Sequence, residues 1–145
     1  MNIVAPTIMI RACAWRDAST DLMNIRQKVF IEEQGVCAKD EWDPRDKYHQ
    51  HFLVTYGGYT VACARLLDSG QIGRIAVLKN HRNRGIGGQI LQYIFHYATD
   101  NGYPEVFLYA QTHAMPFYQR SGYRPFGDVF FQAGMPHQAM RRHLI

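Results

Sequence analysis

The spacing of apolar residues predicts both strands and helices along this chain. Apolar runs of strand length lie at 8–14, 50–56, 59–67, 72–78 and 105–110. Runs of this kind, rich in branched and aromatic residues and bounded by turn residues, are typical of β-strands. Apolar residues at helical spacing lie instead at 19–35, 85–101 and 112–120. Because strands and helices share the chain in this order, the sequence predicts an α+β fold, or a mixed α/β sheet.

Two features of the spacing indicate how the strands pair. Gly57-Gly58 separates the second and third strands by two residues, which is a strong signal for a β-hairpin. The helix at 85–101 lies between the fourth and fifth strands, and a helical crossover joins parallel strands. We therefore predict a mostly antiparallel sheet with one parallel pair and with helices on both of its faces.

The ends of the first helix and of the chain are predicted from capping residues and turns. Residues 19–21, Ser-Thr-Asp, offer an N-cap for the first helix, and Gly35 ends it. The buried stripe of this helix is predicted to carry Leu22, Ile25 and Val29. Two short strands at 123–126 and 129–132 are predicted to precede a basic tail.

The segment 36–48 is polar and irregular. It carries four carboxylates close together in sequence, Asp40, Glu41, Asp43 and Asp46. Their spacing matches no calcium loop, so we predict no metal site and a solvated acidic loop instead. Near a pocket, such a loop would attract a cationic amine.

The segment 72–88, IGRIAVLKNHRNRGIGG, joins the fourth strand to a long helix through a basic, glycine-rich turn. Unpaired amides at the start of a helix, together with the helix dipole, bind anions. Glycine lets the backbone approach an anion closely, and Arg82 and Arg84 add positive charge. The turn lacks the ending of a P-loop and the complete fingerprint of a dinucleotide site. We predict a phosphate site here, with a plain strand-to-helix turn as the alternative.

Length and composition narrow the classes of function. The 145 residues suit a single domain spanning 1–145, and the net charge of +4 is spread along the chain. No apolar run reaches the roughly 18 residues of a membrane span, and the N-terminus lacks the basic region of a signal peptide. Cys13, Cys37 and Cys63 are odd in number and widely spaced, which fits a reducing cytoplasm. We therefore expect a cytoplasmic protein with no membrane partner and no nucleic-acid partner.

Several motifs resemble those of the GCN5-related N-acetyltransferase (GNAT) family. The loop at 82–87, Arg-x-x-Gly-x-Gly, is similar to the family's R/Q-x-x-G-x-G/A loop, and 108–123, LYAQTHAMPFYQRSGY, resembles its later strand and short helix. The runs EEQGV and AGMPH and the His-Phe pair at 51–52 resemble those of a bacterial branch, the ElaA-like and YjcF-like acetyltransferases. The likeness covers most of the chain.

This resemblance implies acetyl-CoA as cofactor, lying where the sheet splays between its fourth and fifth strands. Backbone groups of three strand residues would contact the pantetheine arm and the thioester carbonyl: Ile75, Ala76 and Val77. The pyrophosphate would be held by Arg82, Asn83, Arg84, Gly85, Ile86, Gly87 and Gly88. Two aromatic residues, Phe117 and Tyr118, would lie beside the sulfur.

Acetyl transfer to an amine needs a base for the amine and an acid for the leaving thiolate. Tyr118, with an ordinary pKa of about 10, can supply the acid. The fourth strand lacks the glutamate that many members of the family place there. We predict His51 and Glu33 as bases, with His113, His137 or a water chain as alternatives. The residues predicted to bind the acceptor are Glu33, Gln111 and His137.

These observations leave more than one class of function open. The resemblance implies an acetyl-CoA-dependent N-acetyltransferase acting on a primary amine of a small molecule or peptide. A non-catalytic acyl-CoA-binding or sensing module is the alternative, and the missing strand glutamate supports it. Nucleic-acid binding rests on charge alone and predicts a steep salt dependence. Exposed strand edges, together with Phe130 and Phe131, are compatible with a homodimer.

Overall fold

The computed structural model describes residues 7–144, and these form seven strands and several helices. The strands are β1 Ile8–Cys13, β2 Gln50–Tyr56, β3 Tyr59–Leu66, β4 Ile72–Val77, β5 Glu105–Gln111, β6 Arg124–Gln132 and β7 Met135–His143. The α-helices are α1 Trp15–Arg26, α2 Ala38–Glu41, α3 Ile86–Asp100 and α4 Met115–Arg120. A π-helical segment, Gln27–Glu33, continues α1, and 3₁₀ turns occupy Asp46–Tyr48, Lys79–His81 and Thr112–Ala114.

The strands form two sheets. One contains β1, β2, β3 and β4 in this order, and the other contains β5, β7 and β6. The pairs β1–β2, β5–β7 and β6–β7 are antiparallel. Gly57 and Gly58 turn β2 into β3 with φ angles of 58° and 85°, as a two-residue hairpin requires. The predicted parallel pairing amounts, among the described residues, to one bridge between Gln71 and Phe107.

The chain divides into two compact units. The first runs to Arg65 and resumes at Arg74–Ile90, and the second comprises Leu66–Gly73 and the chain from Leu91 onward. The core of the first unit is formed by buried residues of β1, α1, the π-helical segment and the first sheet, which are Cys13, Ala18, Leu22, Ile25, Val29, Leu53, Cys63 and Ala76. This core contains the predicted stripe of the first helix. The single domain spanning 1–145 stays a prediction.

The first helix begins earlier than predicted. It starts at Trp15, and Ala14 occupies the N-cap without a side-chain hydrogen bond, so the predicted cap at 19–21 is wrong. Ala18 explains the difference, because it is 3% exposed and adds one turn to the buried stripe before Leu22. Gly35 follows the π-helical segment with a φ of 74°, as predicted for the end of a helix.

The end of the chain also differs from its prediction. The two predicted strands at 123–126 and 129–132 form one strand, β6, whose register shifts between Phe126 and Phe130. The predicted basic tail is wrong, because it forms β7, the central strand of the second sheet. The polar and basic composition of this segment does not indicate a strand, although its middle residues Gln138, Ala139 and Met140 are buried.

The helix α3 agrees with its predicted pattern. Its buried residues recur at the expected spacing, at Ile86, Ile90, Leu91, Ile94 and Ala98. Between residues 7 and 144, no helix combines the length and apolar character that crossing a bilayer requires. The cytoplasmic location stays a prediction.

Candidate active site

The predicted phosphate loop connects β4 to α3 within the first unit. Asn83 and Gly85 have φ angles of 63° and 78°, so the loop turns sharply before α3 begins at Ile86. The amide of Gln89 donates to the Gly85 carbonyl at 3.1 Å, which is the first hydrogen bond of the helix. The amides of the preceding turn have no acceptor inside the helix and can bind an anion.

Two glycines leave the surroundings of these amides open. A Cβ atom added to Gly85 or to Gly88 would meet nothing within 4 Å. Close packing therefore does not require glycine at either position. The positive φ of Gly85 favours glycine at that position, whereas Gly88 has no such constraint. The open space in front of the helix start fits the approach of a phosphate group.

The side chain of Arg82, the first residue of the loop, is fixed by hydrogen bonds to other residues of the protein. Its Nε donates to the Val77 carbonyl at 2.9 Å. Its Nη1 and Nη2 donate to the two carboxylate oxygens of Glu33 at 2.6 and 2.7 Å. The hydrogen bond from Arg82 lowers the pKa of Glu33, and the positive charge of Lys79 acts in the same direction. These bonds join Glu33 to the loop, and its predicted roles as a base and an acceptor ligand stay predictions.

A buried ion network lies in the same unit and consists of Arg26, Glu41, Asp46, Arg65 and Arg74. Arg26 is 1% exposed and donates to Glu41 at 2.7 Å and to Asp46 at 3.0 Å. Arg65 donates to Asp46 at 3.0 Å. Arg74 donates from Nε to Glu41 at 2.9 Å. The predicted solvated acidic loop is therefore wrong for Glu41 and Asp46, because arginines from other elements surround and neutralise these carboxylates.

His51, one of the two predicted bases, lies beside this network. It is 1% exposed, and its Nε2 lies 2.8 Å from the Asp46 carbonyl. A carbonyl oxygen only accepts, so Nε2 carries the proton. Burial lowers the pKa of His51, which keeps the ring neutral at pH 7. These features favour a structural role for His51 over its predicted role as a base.

The strand β4 has an irregular backbone at Arg74. Its φ of 51° lies in the left-handed region, which is uncommon for a residue other than glycine. Glu41 holds the side chain, because Arg74 also donates from Nη2 to the Glu41 backbone carbonyl at 3.2 Å. A local irregularity in a strand re-aims the groups that follow it. The residues that follow are the predicted thioester contacts, Ile75, Ala76 and Val77.

The predicted acid lies on α4 in the second unit. Phe117 and Tyr118 are both half-buried, with their ring centroids 5.0 Å apart, and Tyr118 also faces the ring of Tyr123 at 6.3 Å. Burial raises the pKa of Tyr118. The hydroxyl group therefore stays protonated at neutral pH, which an acid requires.

Two of the predicted acceptor residues meet in the second sheet. Gln111 of β5 lies directly opposite His137 of β7. The His137 Nδ1 lies 2.8 Å from the Met135 carbonyl and can only donate to it, so the lone pair of the neutral ring lies on Nε2. The ring of His137 stacks on Phe130 at 5.7 Å. Glu33, the third predicted acceptor residue, belongs to the other unit.

An aromatic cavity of about 390 Å³ adjoins this pair and is lined by Tyr109, Phe130, Phe131 and Gln132. Tyr109 and Phe130 meet edge to face with ring centroids 5.4 Å apart. Phe131 is 75% exposed, so the cavity is open and shallow. Its lining contains an amide and aromatic rings but no carboxylate, so it offers an apolar surface and no ion-pair partner for an ammonium group.

Sequence reasoning missed the buried ion network, although one signal was present. Arg26 lies four residues after Leu22 and next to Ile25, and therefore on the apolar stripe of α1. A cation on a buried helix face requires carboxylate partners, because an unpaired charge is costly to bury. The four carboxylates at 40–46 were the available candidates.

Comparison with known proteins identifies the family. Residues 24–144 match the acetyltransferase (GNAT) domain. The chain is 38% identical to the N-acetyltransferase YjcF of Bacillus subtilis over 126 residues, which cover 84% of this chain and 90% of YjcF. It is 32% identical to the protein ElaA of Escherichia coli over 133 residues, covering 86% of each chain.

Solved structures agree with these relatives. The crystal structure of Escherichia coli ElaA superposes with a TM-score of 0.83 at 28% identity, covering 94% of this chain and 100% of that one. An acyl-CoA N-acyltransferase from Pseudomonas aeruginosa has a TM-score of 0.82 at 28% identity, covering 94% of this chain and 99% of that one. These matches confirm the predicted fold class of mostly antiparallel sheets with helices. The chain therefore belongs to the GNAT family and is a GNAT-type N-acetyltransferase.

Proposed function

We propose that this protein transfers an acetyl group from acetyl-CoA to a primary amine of a small molecule or peptide by direct attack of the amine. The observation that carries the proposal is the open start of α3, where the backbone turns at Asn83 and Gly85 and the first helix amides have no acceptor within the helix. Those amides and the exposed Arg84 suit a diphosphate, since both supply donors and positive charge. The family match and the acyl-CoA N-acyltransferase relative support the same cofactor.

Two further features of the chain support acetyl-CoA as the cofactor. The thioester of acetyl-CoA supplies an activated acetyl group when the cofactor is bound. Backbone groups of Ile75, Ala76 and Val77 follow the irregular residue Arg74, and we propose that they orient the thioester carbonyl. The half-buried ring of Phe117 supplies an apolar surface beside Tyr118.

Tyr118 is proposed to donate its proton to the departing thiolate. Its raised pKa keeps the hydroxyl protonated at working pH, and half-burial limits competition from water. We expect Tyr118→Phe to lower turnover at least tenfold, the lower end of the usual range for acid–base groups, while coenzyme A affinity stays the same. Steady-state rates and a coenzyme A titration measure both quantities. Turnover that is unchanged over the whole pH range would remove Tyr118 from the mechanism.

The acceptor amine must lose a proton before or during attack. An alkyl amine with a pKa of about 10.4 is neutral in only about one molecule in 2,500 at pH 7, which costs about 4.6 kcal/mol. We propose that the free Nε2 of His137 receives this proton and that Gln111, opposite it, orients the amine. The burial of His51 and the ion pair of Glu33 make both residues weaker candidates.

The aromatic cavity beside His137 suggests which acceptors to test first. Its rings suit an acceptor whose amine is attached to an apolar or aromatic group. A panel of amines, assayed for release of free coenzyme A, should give its highest kcat/KM with arylalkyl amines and lower values with polyamines or small amino acids. Higher values for polycationic acceptors would exclude this cavity as the acceptor site.

A second function, a non-catalytic acyl-CoA sensor, is favoured by one observation. The strand β4, IGRIAV, contains no carboxylate to act as a base. The same assay separates the two functions. Tight coenzyme A binding without release of coenzyme A for any acceptor would favour the sensor, and acceptor-dependent release would exclude it.

A further inference from the structure

Three of the N–H donors of the Arg82 side chain form hydrogen bonds to other residues of the protein. A guanidinium group carries five N–H donors in a fixed plane. One of them is bound to the Val77 carbonyl, and one on each terminal nitrogen is bound to Glu33. The bond from Nε ties the base of the guanidinium to the end of β4. Rotation of the guanidinium plane therefore requires this bond to break.

These bonds join three segments at one point. Glu33 is the last residue of the π-helical segment, Val77 is the last residue of β4, and Arg82 is the first residue of the phosphate loop. The bidentate pair is charge-assisted and geometrically specific, so it fixes the direction of the guanidinium as well as its position. Its two side chains are 34% and 38% exposed, which makes the global contribution of the pair to folding small.

We propose that Glu33 is a positioning residue for the cofactor: through Arg82, it holds the loop at 82–88 in the shape that turns its amides toward the diphosphate. This inference rests on the proposed function. In this arrangement the amides of the loop bind the diphosphate directly, and Arg84 provides the free charge. Within residues 7–144, Arg84 is exposed and has no ion pair, so its side chain is available for that role.

The experiment described next can also reveal the opposite arrangement, in which Arg82 itself binds the diphosphate. A carboxylate occupies the same fork of donors that a phosphate would use. If Arg82 bound the diphosphate directly, Glu33 would compete with the cofactor, and its removal would strengthen binding. The sign of the change in affinity therefore decides between a positioning residue and a competitor.

The experiment compares Glu33→Gln with Glu32→Gln. Glu32 is the adjacent exposed glutamate, so the control makes the same change in net charge at nearly the same place. Isothermal titration with coenzyme A should give a Kd raised about tenfold in Glu33→Gln, the size expected when charge-assisted hydrogen bonds are lost, and raised less than twofold in Glu32→Gln. Binding by Glu33→Gln that is tighter than, or equal to, that of the control would overturn the proposal.

Steady-state kinetics provide a second measurement, which separates positioning from catalysis. We expect Glu33→Gln to raise KM for acetyl-CoA and to leave kcat and the pH profile of kcat unchanged. A lower kcat with a shifted pH profile would show instead that Glu33 acts on the acceptor. Failure of the proposed function is distinct from either result, because the unmodified protein would then either bind no coenzyme A or bind it without releasing free coenzyme A for any acceptor.

Discussion

Two groups of ion pairs in the first unit differ in their exposure and in their use. In the buried network, the side chains of Arg26 and Glu41 are 1% and 4% exposed. In the exposed pair, the side chains of Arg82 and Glu33 are 34% and 38% exposed. Both groups join an arginine to a carboxylate through several donors. Because of this difference in burial, we expect the loss of one member to cost much more folding stability in the first group than in the second.

The buried network costs a great deal to break because the charges of Arg26, Glu41 and Asp46 have almost no access to water. Removing Arg26 leaves Glu41 and Asp46 buried with one arginine partner each, Arg74 and Arg65, which is more unfavourable than losing a surface pair. The exposed pair can lose one member at little cost to folding, since water solvates the remaining charge. We propose that its effect is local, on the loop that Arg82 begins. The following predictions test this contrast in order of decreasing expected effect.

Arg26→Ala should show the largest effect. It leaves Glu41 and Asp46 buried without the cation that binds both, so we expect about 3–5 kcal/mol less free energy of unfolding. Urea denaturation measures the loss. Arg16→Ala is the matched control, because Arg16 is 88% exposed and its loss should change stability by about 0.5 kcal/mol or less. Equal losses in the two variants would contradict the contrast between buried and exposed charges.

Gly85→Ala should affect ligand binding more than folding. Gly85 and Gly58 have φ angles of 78° and 85°, and at both positions a new Cβ meets nothing within 4 Å. Alanine at either position should therefore cost about 1 kcal/mol of stability from backbone strain. Only Gly85→Ala should also weaken coenzyme A binding, about tenfold, because relaxation of the strain moves the loop amides. If both variants bind coenzyme A equally well, the anion does not lie at this helix start.

The pH dependence of stability should show the smallest effect, and it arises from His51, with a contribution of the same sign from His49, whose pKa burial also lowers. Burial holds the pKa of folded His51 below its ordinary value of about 6.5, so the unfolded chain binds more protons in the window below that pH. The free energy of unfolding should therefore fall as the pH is lowered from 7 through 6.5 to the folded pKa. Denaturation at several pH values measures this slope. His51→Gln should flatten the slope, and an unchanged slope would assign it to other groups.

Much of the fold followed from local patterns in the sequence. The stripe Leu22, Ile25 and Val29, the hairpin at Gly57-Gly58 and the helix starting near Gly85 each depend on residues only a few positions apart. Periodicity and the conformational freedom of glycine act over that range, so these elements were predicted correctly. The basic tail was mispredicted because β7 lies between two strands. Its backbone pairing gives it order that its polar composition does not indicate.

The candidate site likewise contains features that could be predicted from the sequence and features that could not. The loop motif from Arg82 to Gly87 and the position of Tyr118 in its helix could be recognised from the sequence. The roles of Glu33, Glu41 and His51 could not, because each depends on a partner from a different segment. Glu41 looked like one of four solvated carboxylates, and only packing against Arg26 and Arg74 makes it a buried charge.

The sequence by itself determined the order of strands and helices as far as α4, the glycine turn at the start of α3 and membership of the acetyltransferase family. All of these depend on local chemistry or on motifs carried by neighbouring residues. The tertiary structure alone decided which charges are paired and buried. Arg82 and Glu33 are 49 positions apart, and Arg26 lies 15 and 20 positions from its two carboxylates. Their pairing is set by the packing of distant segments, because a charge is buried only where the fold supplies its partner.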